Sequence, residues 1–426
     1  MTYPQALRVL AARQEGRIRL GLSRLRRSLR RLGSPHEALP CLHVAGTNGK
    51  GSTCAILESV LRAAGYRTGL YLSPHLRCVR ERIRVRGRPV PEADFARLLG
   101  RAAAADPEGE LTYFELLTIV AFLHFRELDA EAVVLETGLG GRLDATNAVQ
   151  RPLACVITSI AFDHTQWLGR TLSCIAGEKA GIIKPGVPVF CPSLPPEAMR
   201  VVAGRAAAQR APLTVVRRPW RTVSVRWRDN RQTLSDGRRR YEIHLLGARQ
   251  GRNAALARAA LEGVRGSLPV TEAAWRRGLA RVRLPGRCEV LRADGRTAIV
   301  DGAHNPEAMS QLALTLAASP WGRERVRWIL GMMRDKDRAG IVARIAPRLQ
   351  DAVAVSLPGF RALAAGELGR ELRRQAPAAL VRETEDPAAA LRAWLADPAA
   401  PRTAVVCGSF YLAGAALAAL RAGGRP

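Results

Sequence analysis

Short apolar runs alternate with stretches of helical periodicity from Cys41 onward. Cys41 to Ala45 predicts a strand, and the apolar positions that follow, Ile56, Val60, Leu61 and Ala64, share one helical face. Further strands are predicted at Arg67 to Leu72, Ala132 to Glu136, Ala154 to Ser159 and Val187 to Cys191. This alternation favours an α/β fold in which helices cover a mostly parallel sheet.

The pattern changes between Arg217 and Leu246. Alternate residues are apolar from Val223 to Trp227, and Asp236-Gly237 provides a turn, so this segment predicts an antiparallel excursion. A helix is expected to follow from about Asn253.

The segment Leu284-Pro-Gly-Arg287 breaks the pattern again, and strand-then-helix units resume after it. Their strands are predicted at Thr297 to Val300, Val326 to Leu330, Ala352 to Val355, Leu380 to Thr384 and Ala404 to Cys407. We therefore expect two domains, residues 1–283 and residues 288–426, of which the second is a smaller, Rossmann-like α/β domain.

The composition is that of a folded protein with a strongly basic charge. Of the 426 residues 47% are hydrophobic and 24% are charged, and the formal net charge is +29. The arginines are spread along the whole chain, and the 5% of aromatic residues leave few platforms on which bases could stack. The charge therefore favours small anionic substrates, and we expect no nucleic-acid partner.

Cysteine usage and the apolar segments bear on the cellular location. The eight cysteines include no Cys-x-x-Cys pair, which is typical of reduced thiols. The N-terminal region lacks an apolar signal segment, and Val405 to Leu420 is too short and too rich in glycine and alanine for a membrane span. We expect a cytoplasmic monomer with no membrane partner.

Only four of the 66 basic side chains are lysines, namely Lys50, Lys179, Lys184 and Lys336. An arginine is always charged, whereas the amine of a lysine can change its pKa and react chemically, so each retained lysine is a candidate functional residue. Lys184 precedes Pro185-Gly186 and is expected in a turn or on the surface. Lys336 lies between two aspartates and is expected in a solvated cluster of ion pairs, so we assign no function to these two.

A glycine-rich loop follows the first strand and leads into a helix. Its residues are Gly46, Thr47, Asn48, Gly49, Lys50, Gly51 and Ser52. Glycines allow backbone N–H groups to converge on phosphate oxygens, and Lys50 can bridge the outer phosphates of a triphosphate. The strict phosphate-loop pattern is not met, because Val44 replaces its first glycine and Gly51 separates the lysine from the hydroxyl residue. The departure indicates a subtype of the loop.

The segment from His43 to Ser52 resembles the ATP loop of folylpolyglutamate synthase and dihydrofolate synthase, which are Mur-ligase-like amide-forming enzymes. Other segments resemble the same family in the same order: Leu72 to Leu76, Thr112 to Glu115, Leu135 to Asn147, Phe162 to Thr165, Gly177 to Gly181, Leu284 to Arg287, Asp301 to Pro306 and Asp335 to Asp337. The resemblance implies a Mur-ligase-like ATP-binding domain at residues 1–283 and a glutamate-ligase domain at residues 288–426.

Ser73, Glu136 and His164 each fall at or just past the end of a predicted strand, where α/β sheets gather ligands. Taken singly, each has an ordinary structural explanation as a turn cap, a buried ion-pair partner or a core histidine. The resemblance implies that together they bind Mg²⁺, which prefers a few protein ligands together with water and phosphate oxygens. We expect two such ions.

The resemblance implies further roles. Lys50, Lys179 and His304 would be catalytic, and the amine of Lys179 would be carbamylated by CO₂ to give an anion. Asn253, Arg287 and Asp301 would contact ATP, although Ala248-Arg249-Gln250 replaces the Glu-His-Gln that often precedes this asparagine in the family. The residues that match segments lining the pteroate pocket are Thr112, Tyr113, Phe114, Glu115, Leu143, Asp144 and Ala145.

The leading hypothesis is an ATP-dependent ligase that joins L-glutamate to dihydropteroate, to the glutamate tail of a folate, or to both, through an acyl phosphate. A peptidoglycan-precursor ligase would need a nucleotide-sugar domain ahead of the ATP loop, and the residues there are fewer than the ~50 that a domain typically requires. A third hypothesis is a basic nucleic-acid-binding protein with a nucleotide-hydrolysing loop, which predicts ATP turnover stimulated by nucleic acid.

Overall fold

The computed structural model describes residues 1–13, 18–359 and 361–423. Residues 14–17, 360 and 424–426, which the two predicted domains include, lie outside the described residues. The chain divides into two compact units. The first unit comprises Met1–Ala161, Leu168–Trp220 and Arg252–Val282, and the second comprises Phe162–Trp167, Arg221–Gly251 and Arg283–Pro426.

The first unit contains an eight-stranded sheet. Its strands are β1 (Cys41–Ala45), β2 (Thr68–Tyr71), β3 (Ile83–Val85), β4 (Arg88–Pro89), β5 (Ala132–Glu136), β6 (Ala154–Ile157), β7 (Val189–Pro192) and β8 (Leu213–Val216). Their order across the sheet is β4-β3-β2-β5-β1-β6-β7-β8, and all neighbours are parallel except at β3 and β4. The mostly parallel sheet that the sequence predicts is confirmed.

The helices of the first part of the chain are α1 (Tyr3–Ala12), α2 (Ser23–Arg31), α3 (Lys50–Ala63), α4 (Glu92–Ala104), α5 (Tyr113–Glu127), α6 (Thr165–Leu168), α7 (Leu172–Ala180), α8 (Pro196–Ala208), α9 (Gln250–Gly263) and α10 (Glu272–Arg281). The stretch from Leu116 to Phe125 of α5 is buried throughout, since this helix lies in the core. Helix α9 begins three residues before Asn253, where the sequence places its start.

The central strand β1 determines where a ligand can bind in this sheet. It pairs with β5 on one side and with β6 on the other, and β2 lies beyond β5. The chain therefore winds in opposite directions on the two sides of β1, and in α/β sheets a ligand crevice opens at the carboxyl ends of strands beside such a point. The glycine-rich loop follows β1 at this edge.

A three-stranded antiparallel sheet belongs to the second unit. Its strands are β9 (Arg221–Arg226), β10 (Arg231–Ser235) and β11 (Arg240–Ile243), in the order β11-β10-β9. The predicted turn is confirmed, because the Asp236 side chain accepts hydrogen bonds from Arg238 N and Arg239 N at 2.8 and 2.7 Å. Trp227 begins a short 3₁₀ turn and lies outside the strand in which the alternation places it.

The compact units differ from the predicted division at residue 283, because Arg221–Gly251 groups with the second unit. Asn230 provides a physical reason: its side chain donates to Val290 O at 2.7 Å and accepts from Val290 N at 2.6 Å. Sequence order alone places this segment in the first domain. The division into domains of 1–283 and 288–426 stays a prediction.

The second unit also contains a six-stranded sheet. Its strands are β12 (Glu289–Ala293), β13 (Arg296–Val300), β14 (Arg327–Leu330), β15 (Asp351–Val355), β16 (Leu380–Thr384) and β17 (Thr403–Cys407). The order is β12-β13-β17-β14-β15-β16, with only the β12–β13 pair antiparallel. The accompanying helices are α11 (Pro306–Ala317), α12 (Arg338–Ala343), α13 (Ala365–Gln375), α14 (Pro387–Ala396) and α15 (Phe410–Gly423). This architecture confirms the predicted second α/β domain.

None of the helices in the described ranges has both the length and the apolarity that a bilayer crossing needs. All eight cysteines are free thiols, and six of them are buried. The buried thiols pack as small apolar side chains.

A buried carboxylate at the start of β15 lies close to three arginines of the second unit. Asp351 is 1% exposed, and it accepts two hydrogen bonds from Arg327, at 2.8 and 3.1 Å. Arg325 and Arg382 each approach it at 3.3 Å. Arg327 is itself only 4% exposed, and its other anionic partner, Asp397 at 3.6 Å, is 36% exposed, so Asp351 is the buried carboxylate that compensates its cation.

Replacement of Asp351 by asparagine should destabilise the second unit strongly. The change removes the carboxylate that neutralises the buried Arg327, and breaking a buried pair in this way costs about 3–5 kcal/mol. Urea unfolding followed by tryptophan fluorescence should show this loss of unfolding free energy. The fully buried Trp328, next to Arg327 in β14, reports on the unfolding of this region.

The matched control is Asp229→Asn. Asp229 pairs with Arg226 at 4.0 Å, and both side chains are more than half exposed. Exposed pairs contribute at most about 1 kcal/mol, so this variant should unfold almost like the parent chain. Equal losses in the two variants would contradict the importance assigned to the buried carboxylate.

Candidate functional site

The glycine-rich loop runs from the end of β1 into the first turn of α3. Gly49 is the N-cap of α3 and has a left-handed φ of 86°. The first N–H groups of a helix have no partners within the helix, and together with the helix dipole they attract phosphate. The predicted turn from strand to helix is therefore present, and the binding of phosphate by its residues stays a prediction.

Two glycines of the loop are required by close contacts. A Cβ added at Gly46, whose φ is 150°, would lie 2.0 Å from Thr158 Oγ1. A Cβ at Gly49 would lie 2.7 Å from the side-chain oxygen of Asn253. Asn253 therefore lies against the loop and is 6% exposed, and its contact with ATP stays a prediction.

The loop is fastened to the residues that follow β6. Asn48 N donates to Ser159 Oγ at 2.9 Å, and Thr158 Oγ1 donates to Asn48 O at 2.7 Å. Thr47 contributes a third connection, because its N–H donates to Ser159 O at 2.8 Å. Sequence analysis did not identify Thr158 or Ser159. The signal was available, since the two hydroxyl residues end the strand predicted at Ala154 to Ser159.

Two lysines converge on one carbonyl oxygen of the loop. Lys50 Nζ donates to Gly46 O at 2.9 Å and to Thr47 O at 3.1 Å. Lys179 Nζ, which comes from α7, donates to the same Gly46 O at 2.9 Å. Lys179 is only 4% exposed. The sequence-predicted lysines of the site are thus brought together although they are far apart in the chain.

Two of the three predicted metal ligands also lie together. Glu136 ends β5, opposite Val44 of β1, and is 3% exposed. Its carboxylate accepts a hydrogen bond from Ser73 N at 2.9 Å, just after β2. A hydroxyl and a carboxylate are oxygen donors of the kind that Mg²⁺ takes, so the chemistry of these two residues fits the ion.

The third predicted ligand, His164, belongs to the second unit. Burial first, and then the nearby Lys336, lower the pKa of His164 to about 3, so the ring is neutral at neutral pH. A neutral imidazole is the form that binds metals. Its Nε2 lies 3.2 Å from Lys336 Nζ. In the described ranges, no group of three or more His, Cys, Asp or Glu side chains is arranged to hold a metal ion. Of the three predicted ligands, only Glu136 and His164 are of these residue types.

The side chain of Lys336 forms an ion pair, as its neighbours predict, but it is largely buried and not solvated. Its side chain is 8% exposed, and Nζ lies 2.7 Å from Asp163 Oδ1. Asn305 donates to the other oxygen of Asp163 at 3.0 Å, and His304 Nε2 lies 3.6 Å from that oxygen. Burial raises the pKa of Asp163, but His304 and Lys336 outweigh it and hold that pKa well below the ordinary value. Asp163 was missed, and Lys336 was given no function, because their neighbours along the chain do not show this pairing.

The predicted residues Arg287, Asp301 and His304 lie together in the second unit. The guanidinium of Arg287 lies 4.3 Å from the centre of the Phe410 ring, and the ring of His304 lies 5.4 Å from it. Asp301 accepts hydrogen bonds from Cys288 N and from the N–H two residues further along the chain, both at 2.7 Å. Burial raises the pKa of Asp301.

The four residues from Thr112 to Glu115 open α5. Thr112 and Glu115 form a capping box, and the Glu115 carboxylate also accepts from Arg24 Nε at 2.9 Å. Tyr113 is buried beneath the guanidinium of Arg82. The ring of Phe114 packs against Gly138, where an added Cβ would lie 2.6 Å from the ring. The structure shows these residues in packing and capping contacts, and their role in binding a pteroate stays a prediction.

Leu143, Asp144 and Ala145 lie in the loop that follows β5, which we call the 137–148 loop. Gly141 lets this loop approach α7, because a Cβ there would lie 2.9 Å from Lys179 O. Asn147 donates to Gly181 O, just past α7, at 3.2 Å. The loop is therefore packed against the helix that carries Lys179.

Lys184 differs from its prediction in one respect. It does lie in a turn, because Val187 N donates to Lys184 O at 3.2 Å. Its side chain is buried instead of exposed, with 8% of its surface accessible, and this burial lowers the pKa of its amine. The turn is confirmed and the surface location is wrong.

Comparison with protein families finds two matching domains. The Mur ligase middle domain matches residues 44–189, and the glutamate ligase domain of Mur ligases matches residues 286–410. The dihydrofolate synthase/folylpolyglutamate synthase of Escherichia coli K12 is 39% identical over 92% of this chain and 90% of that protein. The folylpolyglutamate synthase of Lacticaseibacillus casei is 33% identical over 91% of each chain.

Solved structures agree with these matches. Escherichia coli FolC in complex with DHPP and ADP has a TM-score of 0.86 and 36% identity, over 99% of this chain and 98% of that chain. The Yersinia pestis bifunctional folylpolyglutamate synthase/dihydrofolate synthase, complexed with AMPPNP and a Mn ion, has a TM-score of 0.84 and 35% identity over the same shares.

Gly46→Ala should weaken nucleotide binding without unfolding the chain. The added methyl group would collide with Thr158 Oγ1 and displace the loop, and displacements of this kind cost about tenfold or more in affinity. Calorimetric titration with ADP measures the change. The control is Gly204→Ala in α8, where a Cβ meets nothing within 4 Å. Unchanged ADP affinity in Gly46→Ala would contradict the assignment of this loop to phosphate.

Proposed function

The chain belongs to the dihydrofolate synthase/folylpolyglutamate synthase family of Mur-ligase-like enzymes, which are ATP-dependent glutamate ligases, and we propose that it adds L-glutamate to dihydropteroate, to the glutamate tail of a tetrahydrofolate, or to both. The observation that carries the proposal is the convergence of Lys50 and Lys179 on Gly46 O, at the sheet edge where Glu136 and Ser73 also meet.

The reaction needs an activated carboxyl group. A carboxylate oxygen of the acid attacks the γ-phosphorus of ATP, ADP leaves, and an acyl phosphate results. The amine of glutamate then attacks the acyl carbon, loses a proton and displaces phosphate. Phosphoryl transfer of this kind depends on positioning and charge neutralisation and needs no protein nucleophile.

The roles proposed for individual residues follow from this chemistry. Lys50 and the first N–H groups of α3 would hold the phosphates, since they form a concentrated positive site. Mg²⁺, with Ser73 and Glu136 as oxygen donors, would supply further neutralisation of phosphate charge. The number of ions, predicted to be two, and the part of His164 as a ligand remain predictions. The Mn ion with AMPPNP in the Yersinia pestis enzyme supports use of a divalent ion. The ATP contacts of Asn253, Arg287 and Asp301, and the catalytic role of His304, remain predictions.

We also propose that Lys179 is carbamylated. A carbamate keeps one N–H on the side-chain nitrogen, so the hydrogen bond to Gly46 O can persist while the new carboxylate adds an oxygen donor to the site. The side chain is almost fully buried, and arginine cannot undergo this chemistry.

The predicted cytoplasmic location is supported by the eight free thiols, and the monomeric state and the lack of a nucleic-acid partner remain predictions.

Product analysis tests the ligase. The purified chain is incubated with ATP, Mg²⁺, L-glutamate and either dihydropteroate or tetrahydrofolate, and the products are measured by mass spectrometry. We expect one added glutamate on at least one acid, with ADP formed only when acid and glutamate are both present. Lys50→Ala should reduce the rate by at least about 10²-fold, since electrostatic stabilisation of this kind contributes that much.

ATP turnover that ignores both substrates and rises with added DNA or RNA would contradict the ligase proposal and favour the nucleic-acid hypothesis. Such binding would also weaken steeply with salt.

The His36→Leu variant serves as the control for Lys50→Ala, because His36 is buried in the same unit and belongs to none of the proposed sites.

Carbamylation predicts rescue by small carboxylic acids. Lys179→Ala should lose ligase activity by about 10²-fold or more, and acetate or formate should restore part of it by replacing the carbamate carboxylate. Lys184→Ala, at another buried lysine, should not respond to these acids. Rescue of Lys179→Ala by a small amine instead of a carboxylate would show that the unmodified amine is the active group.

A further inference from the structure

A buried hydrogen-bond chain joins the strand before the ATP loop to the 137–148 loop. His43 lies in the middle of β1, three residues before Gly46, and is fully buried. Its Nε2 lies 2.8 Å from Thr146 Oγ1. Thr146 Oγ1 in turn lies 2.5 Å from Asp144 Oδ1. All of these residues belong to the first unit.

The carboxylate of Asp144 is saturated by its own loop. Oδ1 accepts from Thr146 N at 3.0 Å as well as from the Thr146 hydroxyl. Oδ2 accepts from Gly138 N and Leu139 N, both at 2.9 Å. A carboxylate has about four acceptor positions, so these four hydrogen bonds occupy its capacity. The side chain of Asp144 therefore acts inward and holds both ends of the loop.

The number of protons available determines which group donates in each of these hydrogen bonds. The Thr146 hydroxyl has one proton and donates it in a hydrogen bond to Asp144. The Asp144 carboxylate also accepts hydrogen bonds from three N–H groups. His43 must then carry its proton on Nε2 and donate it to Thr146 Oγ1. Nδ1 of His43 has no hydrogen-bond partner among the described residues, and a buried orphan acceptor is less costly than a buried orphan donor.

The charge state of the ring agrees with this direction. Burial, and after it the charge of Lys184, lower the pKa of His43 to about 3. The imidazole is therefore neutral at neutral pH and carries a single proton. A neutral ring with one N–H can make this one directed hydrogen bond and does not add a charge to the core.

We infer that His43 and Thr146 are positioning residues, which set the 137–148 loop against the strand of the ATP loop and so orient the acid substrate toward the phosphates. The inference rests on the proposed function, because it assumes that Leu143, Asp144 and Ala145 line the site of the acid. It goes beyond that function by assigning a task to two side chains that the sequence does not single out. Neither residue needs to touch substrate or nucleotide.

Steady-state kinetics of the full chain tests the inference. His43→Leu and Thr146→Val should each raise the KM for the acid about tenfold, which corresponds to the loss of one buried hydrogen bond. The KM for ATP should stay within about twofold, since Lys50, Ser159 and the loop N–H groups are untouched. The double variant should be no worse than either single one, because both remove the same connection.

Rescue and a matched control separate positioning from general damage. His43→Gln keeps an N–H donor at a similar reach and should recover most of the acid KM. His36→Leu removes another buried imidazole, which contacts Phe122 and lies outside the chain of hydrogen bonds. That control should leave the acid KM unchanged. An equal rise in the KM for acid and for ATP in His43→Leu, or no rise at all, would overturn the inference.

Nitrogen NMR of histidine-labelled protein gives a second measurement that does not depend on variants. The His43 ring should show a neutral Nε2–H tautomer in the parent chain, and a ring protonated on Nδ1 would overturn the inference. If the parent chain forms no glutamate product, the proposed function fails. A parent chain that ligates normally while Thr146→Val keeps its acid KM refutes the positioning role alone.

Discussion

The contact between two backbone turns at the carboxyl edge of the first sheet is the constraint on which the rest of the site depends. Gly46 follows β1 and Thr158 follows β6, and these turns approach so closely that a methyl group on Gly46 would collide with Thr158 Oγ1 unless the loop moved. The hydrogen bonds from Asn48 and Thr47 to Ser159 exploit this proximity. Because both turns are fastened to neighbouring parallel strands, the loop is fixed by the sheet and does not depend on a ligand for its shape.

Two lysine side chains meet on this base. Lys50 comes from the loop itself, whereas Lys179 comes from α7, and both amines share Gly46 O as acceptor. The 137–148 loop packs against the same helix through Gly141 and Asn147. The lysine, the loop and the helix therefore form one interlocked group, in which a shift of any member would move the others.

The elements of the fold were largely predictable because local apolar periodicity determines them. The five strands that the sequence predicts in the second domain all form, with bounds shifted by one residue at most. The strands that were not predicted are β3, β4, β8 and β12, which lie at or next to the edges of their sheets and have at most five residues each. Trp227 lies outside the predicted strand because the chain turns at Asn230, whose φ of 52° lies in the left-handed region. Such a reversal depends on packing against Val290, which local pattern does not encode.

The sequence by itself determined the α/β class, the glycine-rich loop with Lys50, and the membership of the chain in its ligase family, because ordered motifs and periodicity are local properties. Only the tertiary structure decided that Lys184 and the side chain of Lys336 are withdrawn from solvent, that Asp163 pairs with Lys336, and that the Asp144 carboxylate is used within its own loop. The physical reason is the same in each case. Burial and hydrogen-bond partners depend on residues that are distant along the chain and become neighbours only when strands and helices pack.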